Sequence, residues 1–126
     1  MAESGAPGDD AGRVETTGGA VALSEDDGAT VLAVSGALDL ALAPKLRRLV
    51  DRAARTGAPV LVIDLSAVDF LASAGMAVLV WAHRQAEPAD VRVVASSRLT
   101  LRPLELTRLT DELAVFPSVP AALAGA

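Results

Sequence analysis

The chain contains no cysteine and no tyrosine, and only one histidine (His83), one tryptophan (Trp81) and one lysine (Lys45). Each shortage closes a class of function. Without cysteine there is no disulfide framework, no thiolate metal site and no cysteine nucleophile. That absence also fits a reducing cytoplasm, the expected location. A single histidine removes most zinc sites and leaves a histidine-dependent catalytic scheme only one resource. Aromatic residues are confined to Phe70, Phe116 and Trp81, so the core must be aliphatic. Long apolar runs are missing as well: stretches such as 76–82 fall far below the roughly 20 residues a bilayer requires. Positive charge is scarce, with 11 Lys and Arg against 16 Asp and Glu and a net charge of −5. That balance argues against nucleic acid, because phosphate binding needs clustered cations.

What is present is enough chain for one core. A length of 126 residues accommodates one domain and not two. Residues 1–19, MAESGAPGDDAGRVETTGG, are acidic and Gly-rich, without the basic and apolar regions of a secretory signal. Such a stretch buries too little apolar surface to order itself, so a flexible tail is expected there, with the folded domain over residues 20–126.

Along that domain, residues 21–23 and 30–35 read as two strands joined by the polar turn 25–28, the second strand ending at Gly36. Leu42, Leu46, Leu49, Val50 and Ala53 then recur at helical spacing, with Lys45, Arg47, Arg48, Asp51 and Arg52 on the other faces. Pro44 suits the first turn and Gly57 the stop. Residues 60–63, Val-Leu-Val-Ile, are apolar on both faces and predict a central strand covered from each side. A helix over 73–86, a strand over 91–95, a helical segment over 99–109 with Pro103 in its first turn, an extended piece over 113–116 and a short helix capped by Ser118 complete the pattern. Strands connected by helices imply right-handed crossovers and a mainly parallel α/β sheet. Ligands and partners meet such sheets at the C-terminal ends of the strands, here the expected loops 36–43 and 65–73.

Within those loops the residue types are sparse. Ser73 stands at the expected start of a helix, where its hydroxyl could serve as an N-cap worth about 1 kcal/mol. Asp64 and Asp69 could form a carboxylate pair for acid–base chemistry or magnesium, but no third ligand or base accompanies them. A solvating strand end and a turn residue are the favoured roles, and Ser66 reads as a turn hydroxyl. A serine hydrolase fails on two counts. The frame Leu71-Ala72-Ser73-Ala74-Gly75 has only the second glycine of a nucleophile elbow, and His83 lies about 15 Å further along the same helix. Ser73, Ala77 and Trp81 repeat at i, i+4, i+8 and form one stripe. Trp81 on that stripe is either an interface anchor or a packed residue, and His83 is expected to be a packed or half-exposed helix residue.

The segments VSGALDLALAPKLRRLV, VLVIDLSAVDFLASAGMAVLVWAHRQA and LELTRLTDELAVFPSVPAAL, taken in order, resemble the STAS domain of bacterial anti-sigma factor antagonists. The family pattern is a G-E-L-D segment, a helix, a strand ending in D-L-S, and F-L-D-S-S-G opening the second helix. The resemblance implies a STAS fold: a four- to five-stranded mixed, mainly parallel sheet with about four helices. It implies a non-enzyme without cofactor that binds an anti-sigma factor, itself a serine kinase of the histidine-kinase-like type, and so releases a sigma factor. Phosphorylation of Ser73 by that kinase would release the antagonist, and a metal-dependent serine phosphatase would reverse it. The partner surface would comprise Asp39, Asp69, Ala72, Ser73, Ala74, Gly75, Ala77 and Trp81. Two departures stand out: Ala72 and Ala74 replace the aspartate and second serine around the acceptor, and Ala37 replaces the glutamate of G-E-L-D while Asp39 is kept. From a different class, a structural STAS subunit of a membrane lipid-transport ATPase, with no phosphoswitch, is the alternative.

Overall fold

The structure is a computed structural model and describes residues 12–85 and 89–125. Among these residues run β1 (Arg13–Glu15), β2 (Gly19–Asp26), β3 (Ala29–Leu38), α1 (Ala43–Arg55), β4 (Val60–Leu71), α2 (Ser73–Gln85), β5 (Asp90–Val94), α3 (Arg98–Leu106), β6 (Val115–Phe116) and α4 (Val119–Ala124). The strands form one six-stranded sheet in chain order. β1, β2 and β3 pair antiparallel, and β3 to β6 pair parallel. This is the expected mixed α/β architecture, with more strands than the four or five anticipated, because β1 and β6 are too short to carry an apolar pattern. β1 falls inside the stretch read as a tail: Arg13–Glu15 pairs with Ala22, Val21 and Ala20 of β2. The rest of the expected tail, residues 1–11, lies outside the described residues.

The two faces of the sheet are covered unequally. Leu32, Val34, Leu61, Ile63 and Val93 pack with Leu46, Val50, Leu79 and Leu104 from α1, α2 and α3 in one aliphatic core. The alternate residues Val31, Val62 and Val94 meet Ala122 of α4 on the other face. Residues 60–63 are therefore covered on both sides, as their continuous apolar character requires.

Three local departures from the sequence reading have physical causes. The turn between β2 and β3 is tighter than the polar run 25–28 suggested. Asp26 faces Ala29, and Asp27 and Gly28 both take positive φ (53° and 84°), the two-residue turn that Asp-Gly favours because its twist matches the strands. β3 and β4 both run past their expected ends, to Leu38 and Leu71, so residues 65–71 are strand and not loop. Two register shifts against β3 explain why β4 was hard to see. Each inserts an extra residue, so the buried positions Leu65, Val68 and Leu71 recur every third residue and not every second. Finally, α3 stops at Leu106, not 109, and Pro103 sits inside it. Arg108, at φ 63°, turns the chain into a short 3-10 turn over Leu109–Asp111.

Candidate functional site

The C-terminal ends of β3 and β4 lie side by side, with Leu38 opposite Leu71. The Ala72 amide donates to the Leu38 carbonyl at 3.0 Å, and the Ala72 carbonyl accepts the Met76 amide at 3.1 Å. Ala72 thus occupies the cap position, and Ser73 is the first residue of α2. The sequence reading of Ser73 as an N-cap is corrected here. Ser73 is exposed, and its hydroxyl has no hydrogen-bond partner among the described residues. The amides of the first helical turn have no intrahelical acceptors and form the positive end of the helix dipole. A free hydroxyl therefore stands where added negative charge is tolerated.

Gly75 sets how closely α2 approaches the sheet. A Cβ there would lie 2.6 Å from Leu38 Cγ and 2.8 Å from the Leu38 carbonyl oxygen. Gly75 is buried and packs against Leu38. Ala72 and Ala74 are half-buried and Ala77 is exposed. Met76 Sδ takes the Thr107 hydroxyl at 3.8 Å, so the C-terminal end of α3 rests on the first turns of α2.

The acidic residues divide by role. Asp39 Oδ1 accepts the amides of Ala41 and Leu42, each at 3.1 Å, and its carbonyl accepts the Ala43 amide at 2.8 Å. It shapes the turn that leads from β3 into α1. Asp64 Oδ1 accepts the Ser66 amide at 2.9 Å and the Ser66 hydroxyl at 2.5 Å. That pair satisfies the backbone at the first register shift, further back along β4, which accounts for both residues without acid–base chemistry. Asp69 is exposed at the second shift. No group of three or more His, Cys, Asp or Glu among the described residues could hold a metal ion.

Trp81 is half-buried and packs against the core, with the Arg47 guanidinium 4.3 Å above its ring. It lies at the seam between α1 and α2, packed on one side and part-exposed on the other. His83 is exposed.

Three exposed apolar side chains that sequence patterns do not single out lie on segments that adjoin the start of α2. Leu40 (79% exposed) follows Asp39, Phe70 (56%) pairs with Ala37 at the end of β4, and Leu106 (68%) precedes Thr107. Phe70 was detectable in principle: it falls off the three-residue spacing of Leu65, Val68 and Leu71. Leu40 and Leu106 leave no such signal, because a lone leucine in a turn or at a helix end is ordinary.

Comparison with known proteins agrees with this geometry. The family model for the STAS domain matches residues 20–122. The Mycobacterium tuberculosis anti-sigma-F factor antagonist RsfB is 32% identical over 106 residues, covering 83% of this chain and 87% of the relative. The crystal structure of an anti-sigma factor antagonist from Mycobacterium paratuberculosis superposes with a TM-score of 0.78 at 34% identity, covering 83% of this chain and 91% of that one. A putative anti-sigma factor antagonist from Thermotoga maritima shares the fold at a TM-score of 0.76 and 18% identity, covering 83% and 92%. The chain belongs to the STAS-domain family and is related to its anti-sigma factor antagonists.

Proposed function

We propose that this protein is a cytoplasmic anti-sigma factor antagonist whose partner is a histidine-kinase-like anti-sigma factor, with Ser73 as the phosphoacceptor. The observation that carries the reading is the exposed, unpartnered Ser73 hydroxyl on the first turn of α2, with exposed Phe70 three residues before it and exposed Leu40 two residues beyond Leu38, whose carbonyl accepts the Ala72 amide. The apolar side chains supply area for a partner to bury, and such desolvated apolar contacts carry most of an interface's energy. The hydroxyl supplies the switch. Transfer of the γ-phosphoryl group of ATP to Ser73 Oγ, with departure of ADP, places a charge approaching −2 at the start of α2.

Within the domain this charge faces the free amides of α2 and is accommodated. At an interface it is desolvated without a partner, which costs several kcal/mol and reverses binding. Hydrolysis by a metal-dependent serine phosphatase restores the hydroxyl. Ala72 and Ala74 remove polar groups from beside the acceptor, so the rate of phosphoryl transfer is the property most exposed to these substitutions.

Incubation with ATP and the histidine-kinase-like anti-sigma factor of the same organism, followed by intact mass measurement, tests the reading. One added phosphate, absent in Ser73→Ala, with loss of the complex, is the expected result. A complex that forms and takes up no phosphate overturns the switch. Failure to bind any such kinase overturns the antagonist role.

A further inference from the structure

The stripe of α2 that begins at Ser73 continues through exposed Ala77 to Trp81, about 12 Å further along the helix. There the Trp81 ring joins Pro44, Arg47, Arg48 and Asp51 in lining a surface cleft of about 400 Å³ between α1 and α2. The cleft is basic in an acidic chain: α1 carries five of the 11 Lys and Arg residues and one carboxylate, Asp51, which is ion-paired to Arg55. Arg48 is exposed and makes no hydrogen bond or ion pair among the described residues. Arg47 is exposed too, and its one contact is the Trp81 ring, 4.3 Å from the guanidinium carbon. A guanidinium over an aromatic face is held in place while the N–H groups at its edge stay open to an acceptor.

We propose that this cleft receives a carboxylate-bearing segment of the same anti-sigma factor that covers Ser73, with an Asp or Glu side chain between Arg47 and Arg48. The inference rests on the antagonist reading above and states the chemistry its partner must carry. A carboxylate finds two guanidinium groups beside the apolar surface of Trp81 and Pro44, whereas a neutral segment would desolvate those cations without repayment. Continuity points to the same partner. An interface of ordinary size buries about 800 Å² on each side, so one centred near Ser73 extends the two further turns to Trp81. Those 12 Å exceed the screening length of about 8 Å at physiological ionic strength. The cleft therefore contributes to partner choice and affinity, and a phosphate on Ser73 acts at its own end of α2.

Trp81 is the chain's one tryptophan, so the isotope-labelled full chain gives a single indole N–H signal in NMR, readable against an unlabelled partner. On adding the histidine-kinase-like anti-sigma factor of the same organism, the Trp81 indole and the Ser73 amide are both expected to shift. By calorimetry Arg48→Glu should weaken the complex at least about tenfold, an effect that fades in about 1 M salt. Arg47→Lys keeps the charge but loses the planar fork, and should weaken it about threefold. Both variants should melt with the parent. Arg13→Glu makes the same charge change on the sheet face away from the main core, where Arg13 sits opposite Ala22, and should stay within about twofold. A hexaglutamate peptide should shift the indole signal of the parent and not that of Arg48→Glu. An indole that stays put while the Ser73 amide shifts overturns the cleft and leaves the antagonist reading standing. So do an indole unmoved by hexaglutamate and equal losses from Arg48→Glu and Arg13→Glu, which report net charge alone. An indole shift that grows with protein concentration in the absence of partner would seat a second copy there and overturn the proposal. If the parent binds no such anti-sigma factor, the antagonist reading falls and the cleft's role falls with it.

Discussion

Three serines stand at helix starts among the described residues, Ser73, Ser97 and Ser118, and a single hydrogen bond separates Ser118 from the other two. Ser118 Oγ accepts the Ala121 amide at 3.1 Å, holding the first turn of α4. Ser73 lies one residue past the cap position of α2, and no amide reaches its hydroxyl among the described residues. Urea unfolding should separate Ser118 from Ser73. Ser118→Ala is expected to lose about 1 kcal/mol, the ordinary worth of a capping side chain. Ser73→Ala is expected to stay within about 0.5 kcal/mol of the parent, as an exposed substitution that breaks nothing. A loss of about 1 kcal/mol at Ser73 would mean that the residue is a cap after all. Gly75 is the converse case, a residue whose worth lies in what it lacks. Its missing Cβ would press on both the side chain and the carbonyl of Leu38, and backbone cannot step aside. Gly75→Ala is therefore expected to cost about 1–3 kcal/mol by overpacking, measured by the same unfolding. The damage should concentrate at the α2–β3 junction that presents Ser73.

At the scale of elements, α4 is the weakest piece and the most informative. A helix of six residues has no stability of its own, and its burial rests on Val31, Val62 and Val94. Arg92 fastens it. Its side chain is 15% exposed, donates from Nη1 to the Ala122 carbonyl at 2.5 Å and is oriented by Asp90. A cation at the carbonyl end of a helix also meets its dipole favourably. Arg92→Ala should cost roughly 1.5–3 kcal/mol, the worth of a hydrogen bond to a charged group. Hydrogen exchange of the α4 amides should accelerate before that of the main core, and uniform acceleration across the sheet would show that α4 is not fastened this way. The elements that sequence patterns revealed are those with a whole buried face. α1 repeats its leucines at helical spacing, and 60–63 is apolar on both sides. The second half of β4 was lost because its register shifts replaced alternation by a three-residue spacing, and its polar residues then read as loop. The same blindness hid Phe70 from the candidate site. Ser73 was found because its short motif survives in the chain. Its exact place in the helix was set by a tertiary bond, Ala72 to Leu38, which no local pattern encodes.

For the whole molecule, the proposed switch requires that the fold outlast it, so the charges that tie distant segments should not depend on the state of Ser73. The pair Arg84–Glu112 is the clearest such tie. Arg84 Nε and Nη2 donate to the two Glu112 carboxylate oxygens at 2.8 and 3.2 Å, joining the end of α2 to the chain beyond α3. These hydrogen bonds hold the Glu112 carboxyl below its ordinary value, and desolvation only partly opposes them. A depressed pKa in the folded state means that the contribution is complete above the unfolded value of about 4.3. It is lost as pH falls through the still lower folded value, where protonation removes the acceptor. Glu112→Gln should therefore unfold slightly more easily in urea than the parent at pH 7. Its difference from the parent should shrink below about pH 4.3 and close once the parent carboxyl is protonated. Because the pair is at the surface, raising the salt concentration should also narrow the gap at pH 7. A gap that widens on acidification would mean that Glu112 is stabilised as the acid, and that the bidentate pair does not hold α2 to the far end of the chain.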